Sequence, residues 1–117
     1  MRIALTLLAV AVAAAALTAP LAFGATAATQ TVRVTETDYR ISLSTRPKAG
    51  KVTFVVRNAS SHSHDFRLKG NGITRKTPLL APGQAARLTV TLERGERYQL
   101  WCAPHEDKGM RASFVAR

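Results

Sequence analysis

Nine consecutive residues, Cys102-Ala103-Pro104-His105-Glu106-Asp107-Lys108-Gly109-Met110, carry a thiol, an imidazole and a thioether. A further imidazole stands upstream at His64, and Cys102 is the only cysteine in the chain. Thiolate and thioether are soft donors that select copper(I), zinc or iron–sulfur clusters, whereas imidazole suits zinc, copper and iron. One Cys, two His and one Met satisfy copper in both oxidation states, as a centre that passes single electrons requires. Zinc more often takes a carboxylate or water in place of a thioether. Iron–sulfur clusters take several cysteines. The spacing serves the same end: Cys102 closes an apolar-alternating run and Pro104 bends the chain. His105 can then return to the same point, and Gly109 permits a second tight turn ahead of Met110.

The elements that must position these residues are read from a period of two. Val32 and Val34 alternate with Arg33 and Thr35, and Tyr39, Ile41 and Leu43 alternate with Arg40, Ser42 and Ser44. Four further runs follow the same rule: Val52-Phe54-Val56, Phe66-Leu68, Leu88-Val90-Leu92 and Tyr98-Leu100-Cys102, with Phe114 in a last one. Such short runs, rich in β-branched and aromatic residues, are strands. Pro47 to Gly50, Gly70-Asn71-Gly72, Pro82-Gly83 and Arg94-Gly95 supply turn chemistry between them. Seven short strands predict an all-β antiparallel sandwich or barrel. Residues 71–82 carry no clear period, and a loop or a short helical turn is expected there.

The chain has 117 residues and a net charge of +10. Met1-Arg2, the Ala/Leu/Val run from Ile3 to Leu17 and the small residues Ala22, Gly24, Ala25 and Ala27 form the three parts of a secretory signal peptide. Cleavage after Ala27 satisfies the small-x-small rule; sites after Gly24 or Ala22 also fit. The run is shorter than the about 20 apolar residues a membrane span needs, so no stable membrane insertion is expected after cleavage. Residues 1–27 are therefore assigned to the signal peptide and 28–117 to one domain, exported to the periplasm or beyond the cell. Arg2 is the only charged residue in the first segment, so the domain keeps a net charge of +9. Its arginines are dispersed at alternating positions, as on the solvated face of a sheet, and point to steering of acidic partners and not to nucleic acid. A single cysteine in an oxidising compartment cannot form an internal bridge. A bond to a metal explains its presence; a buried inert thiol is the plainer alternative. Asn58-Ala59-Ser60 matches a glycosylation acceptor, a three-residue pattern of little weight.

The string Cys102 to Met110 resembles the copper loop of cupredoxins, in particular pseudoazurin and plastocyanin. The segments KAGKVTFVVRN, HDF, APGQ and GERYQLWC agree in order, so the likeness spans about Thr31 to Arg117. It implies a Greek-key β-sandwich holding one type 1 copper ion, with His64, Cys102, His105 and Met110 as ligands and no catalytic residue. It further implies one-electron transfer between redox partner proteins outside the cytoplasm, with the edge of His105 as the electron port. His62 is the rival of His64, because residues two apart on an extended chain face the same side; the position of HDF in the family favours His64. Two departures stand out. Asp65 replaces the common Asn after the upstream His, and it can accept but not donate a hydrogen bond. Glu106, Asp107 and Lys108 place charge where relatives are often apolar. Trp101, beside Cys102, is either an electron route or a core aromatic. Copper carriage without redox work would use the same four ligands. An enzyme is not expected: copper oxidases need more ligands than three histidines allow, and no third residue orients a Cys102–His105 pair for hydrolysis. A monomer is expected.

Overall fold

The computed structural model describes residues 28–117, together with Ala11 upstream; the signal-peptide reading falls outside the described residues. Eight strands pack as two four-stranded sheets. The first contains β1 (Gln30–Thr37), β2 (Arg40–Leu43), β3 (Gly50–Asn58) and β6 (Ala85–Leu92), in the order β2-β1-β3-β6. The second contains β4 (Arg67–Gly70), β5 (Ile73–Lys76), β7 (Arg97–Trp101) and β8 (Arg111–Val115), in the order β5-β4-β7-β8. Neighbouring strands are antiparallel except β1 and β3, which run parallel in the register Val32 to Phe54 and Glu36 to Asn58. A parallel pair needs a crossover of about a dozen residues, and 38–49, with β2 inside it, provides one. After β3 the chain passes to the second sheet, back to it for β6, and across again for β7 and β8.

The alternation in sequence becomes the alternation between core and solvent. Val32, Val34, Val52, Phe54, Val56, Leu68, Leu88, Val90, Leu92, Tyr98, Leu100 and Phe114 are buried between the sheets. Phe54 lies 5.7 Å from Phe66 and 6.2 Å from Phe114, ring centre to ring centre, which joins the two layers. The Tyr98 hydroxyl accepts the Glu93 N–H at 2.8 Å, so the polar end of this buried ring is satisfied. Of the dispersed arginines, those at 33, 40, 57, 75, 87 and 97 lie exposed on strands, as the sheet-face reading requires.

Residues 71–82 hold a strand where a loop or helical turn is expected: β5 occupies Ile73–Lys76, and turn and loop make up the rest. Asn71 (φ 47°) and Gly72 (φ 75°) make a two-residue hairpin from β4 into β5. Positive φ at both central residues gives the turn whose twist matches the flanking strands. The chain then stays extended: Thr77 N–H bonds to Phe66 O at 2.9 Å, and Leu80 exchanges backbone bonds with His64 at 2.8 and 3.0 Å. Gly70, just before the hairpin, is required by close approach, because a Cβ there would lie 2.6 Å from Arg97 O and 2.6 Å from Tyr98 Cδ1.

Candidate metal centre

Two chain segments meet at one end of the sandwich. The first follows β3. Asn58 is buried, and its amide donates to His62 O at 2.7 Å and Leu80 O at 2.9 Å, while its carbonyl accepts from Ser60 N and Oγ. The side chain is thus spent on folding the loop ahead of His64, and a buried, fully bonded amide is no glycosylation acceptor. The Leu80 bridge then fixes the backbone of His64, which is fully buried.

The second segment follows β7. Cys102 leads into a short 3-10 helix, Ala103–Lys108, with Pro104 in its first turn and Gly109 ending it in the left-handed conformation at φ 76°. The loop closes on itself: Cys102 N–H bonds to Met110 O at 3.1 Å, His105 N–H to Cys102 O at 3.2 Å, and Met110 N–H to His105 O at 3.3 Å. Cys102 and Met110 are fully buried and His105 is half-buried.

The donor atoms of His64, Cys102 and His105 converge. His64 Nδ1 lies 3.5 Å from Cys102 Sγ and 3.0 Å from His105 Nδ1, and Cys102 Sγ lies 3.7 Å from His105 Nδ1. Among the described residues these three form the group of His, Cys and acidic side chains arranged to hold a metal ion. His62 is outside it; its side chain is 57% exposed and bonds to Asp38. Burial pushes the Cys102 thiol up to about 11, against the opposing effect of backbone N–H groups of Asp65 and His105 directed at it. A buried sulfur facing two imidazole nitrogens is a donor group suited to a soft cation. The donor set fits one copper ion of the blue type.

Asp65 ties the two segments. Its Oδ1 accepts the Ala103 N–H at 2.9 Å and its Oδ2 accepts Arg67 Nε at 2.9 Å. The acceptor role foreseen for an Asp at this place is met, and the second oxygen has recruited a cation that an Asn would not need. Trp101 is half-buried on the outer face of β7, under Lys69 Nζ at 5.2 Å from the ring centre, so it is not a core aromatic.

Three residues escaped sequence reasoning. Asp38, in the turn after β1, bonds through Oδ1 to His64 Nε2 at 2.9 Å and through Oδ2 to His62 Nδ1 at 3.0 Å. Bonding to His62, foremost, holds its carboxyl well below the usual carboxylate range. Tyr39 packs its ring 5.0 Å from that of His105. Glu36 is fully buried with neither carboxylate oxygen hydrogen-bonded. Burial, reinforced by the Asp65 carboxylate, pushes its pKa up to about 8. Periodicity was the available signal at Glu36, which continues the inward positions of Val32 and Val34; Asp38, in the turn beyond β1, left none.

Comparison with known proteins agrees with this fold. An auracyanin of Roseiflexus castenholzii, reduced with dithionite, superposes with a TM-score of 0.61 at 15% identity, over 76% of this chain and 98% of its own. A mutant amicyanin in its reduced copper(I) form superposes with a TM-score of 0.50 at 26% identity, over 74% of this chain and 82% of its own. A multicopper oxidase shares the fold at 19% identity and a TM-score of 0.52, but only 41% of its length is covered. No curated protein matches the chain in sequence. The sequence profile of the cupredoxin-like domain matches residues 4–116, and the chain belongs to that family.

Proposed function

We propose that this protein is a small exported blue copper protein that shuttles single electrons between redox partners, with His64, Cys102, His105 and Met110 as its copper ligands. The observation that carries the proposal is the convergence of His64 Nδ1, Cys102 Sγ and His105 Nδ1 within 3.0–3.7 Å of one another in the structure. Copper, when bound, supplies a one-electron couple between the +1 and +2 states. The protein supplies rigidity: His64 is clamped by the Leu80 bridge and Asn58, and the ligand loop is braced by its own backbone bonds and by Asp65. Donors held in one arrangement need little movement when the charge at their centre changes. Backbone N–H groups aimed at the Cys102 sulfur stabilise negative charge there and so tune the potential. A non-enzymatic role belongs to the same reading.

The partner is read from charge. Alternation places Lys69, Lys76, Arg97 and Arg111 on the outer face of β4, β5, β7 and β8, and these strands carry no carboxylate. An acidic redox protein fits this face, in a weak and rapidly exchanging monomer–partner encounter. Its electron exchange is expected to slow as salt shortens the Debye length to about 8 Å at physiological ionic strength. A rate independent of salt would remove the steering argument. Export to the periplasm or the cell exterior belongs to the same reading. Among the described residues no helix is long and apolar enough to cross a membrane.

The test is visible absorption and electron paramagnetic resonance after copper(II) addition. An intense blue thiolate-to-copper band with narrow hyperfine splitting, abolished by Cys102→Ser, is expected. A pale, weakly coupled signal would overturn electron transfer and favour copper carriage by the same residues.

A further inference from the structure

The turn between β1 and β2 touches both imidazoles of the centre. Asp38 bonds to His64 and Tyr39 packs on His105. His64 is fully buried, so each of its ring nitrogens must find its partner inside the protein. A neutral imidazole has one N–H and one lone pair, and the bond made at one nitrogen sets the state of the other. Asp38 Oδ1 lies 2.9 Å from Nε2, and a carboxylate only accepts. The proton therefore resides on Nε2, and Nδ1 directs its lone pair towards Cys102 Sγ and His105 Nδ1. Without the carboxylate, the opposite tautomer has its own rewards: an Nδ1–H would find His105 Nδ1 at 3.0 Å or the sulfur at 3.5 Å. That tautomer blocks the metal-facing atom.

We propose that Asp38 is a positioning residue that sets the tautomer and ring orientation of His64, and thereby which of its atoms faces the metal. The carboxylate is itself held on both sides. Its Oδ2 takes His62 Nδ1 at 3.0 Å and Ser61 Oγ at 3.2 Å, so it cannot swing away from His64 without breaking bonds at the surface. His62, outside the donor group, thus acts as the outer half of a clamp whose inner half is His64. The negative charge beside Nε2 also makes Nδ1 a stronger donor and favours the higher charge of copper(II) over copper(I). The inference rests on the copper reading for its consequence, but its structural content exists without metal.

The experiment therefore has two arms. In copper-free protein, long-range proton–nitrogen correlation spectra report which nitrogen of His64 is protonated. Wild type is expected to show Nε2–H, Asp38→Ala to lose that single state, and Asp38→Asn, which keeps an acceptor oxygen, to retain it. In copper-loaded protein, Asp38→Ala is expected to bind copper(II) about 10–100-fold more weakly, and Asp38→Asn to keep the wild-type spectrum while its reduction potential rises. Wild-type protein protonated at Nδ1, or an Asp38→Ala protein that keeps Nε2–H and wild-type copper(II) affinity, would overturn the proposal. A protein that shows the tautomer change yet forms no blue copper centre would support the role of Asp38 and overturn the electron-transfer reading instead.

Discussion

Glu36 offers a quantitative test of the interior beside the metal. It stands on the core face of β1, opposite Asn58 in the parallel register, with both oxygens buried and unbonded. Its pKa is pushed from 4.5 to about 8 in the folded protein, by burial first and by the Asp65 carboxylate second. The unfolded chain therefore gives up this proton near pH 4.5, while the native state keeps it until about pH 8. Between those values folding takes up a proton, so stability falls as pH rises. Each unit costs about 1.4 kcal/mol, and the whole window about 5 kcal/mol. That is as large as the total stability of many small domains. Glu36→Gln keeps the shape and removes the titration. Copper-free protein in reducing buffer would be unfolded with urea and followed through its single tryptophan, Trp101, from pH 4.5 to 8. The difference between variant and wild type cancels every other titrating group to first approximation. It should grow in favour of Glu36→Gln by several kcal/mol across the window. A difference that stays flat to within about 1 kcal/mol would show that Glu36 ionises freely in the native state, and the burial argument would be refuted.

Three further outcomes can be checked directly. Asp65→Ala leaves the Ala103 N–H without its acceptor and should cost about 1–3 kcal/mol in urea unfolding, with faster copper loss to a chelator; Asp65→Asn, which keeps an oxygen for Ala103, should cost less. Gly70→Ala forces a methyl against Arg97 O and Tyr98, and a loss of about 1–3 kcal/mol is expected from the displaced β4–β7 pairing; unchanged stability would mean the two strands separate freely. Because the Cys102 thiol is pushed up to about 11, copper loading at pH 7 should release a proton from it, seen by calorimetry in buffers of different ionisation enthalpy and lost in Cys102→Ser.

What could be read in advance depended on how far apart the cooperating residues lie. The ligand loop was legible because Cys102, His105 and Met110 sit within nine residues, and a single turn chemistry brings them together. Strands with a buried face were legible because burial writes a period of two into the sequence. β5 was not: only Ile73 among its four residues is even half-buried, so an edge strand with no core face left no periodic trace. Its existence follows from Asn71-Gly72, a hairpin signal more specific than the apolar pattern around it. Asp38 was invisible for another reason. Its bond to His64 spans 26 positions and depends on where β1 ends relative to the loop after β3.

The residues that broke the pattern share a location. Along β1 the inward positions run Val32, Val34, Glu36, and Asp38 follows in the turn beyond the strand; along β3 they run Val52, Phe54, Val56, Asn58. Each series changes from apolar to polar at the same end of the parallel pair, where Glu36 lies opposite Asn58. A sandwich that served only to bury surface would continue with valine there, because an unbonded buried carboxyl and a buried amide bring cost without hydrophobic gain. The change is accounted for at Asn58 by the loop it folds and at Asp38 by the imidazole it holds. Polar residues in step with a strand's core face are thus the mark, in this chain, of where packing gives way to chemistry. By that criterion Glu36, in step with Val32 and Val34 and with its carboxyl bonded to neither segment, belongs to the centre's electrostatics, and not to the core in which it is buried.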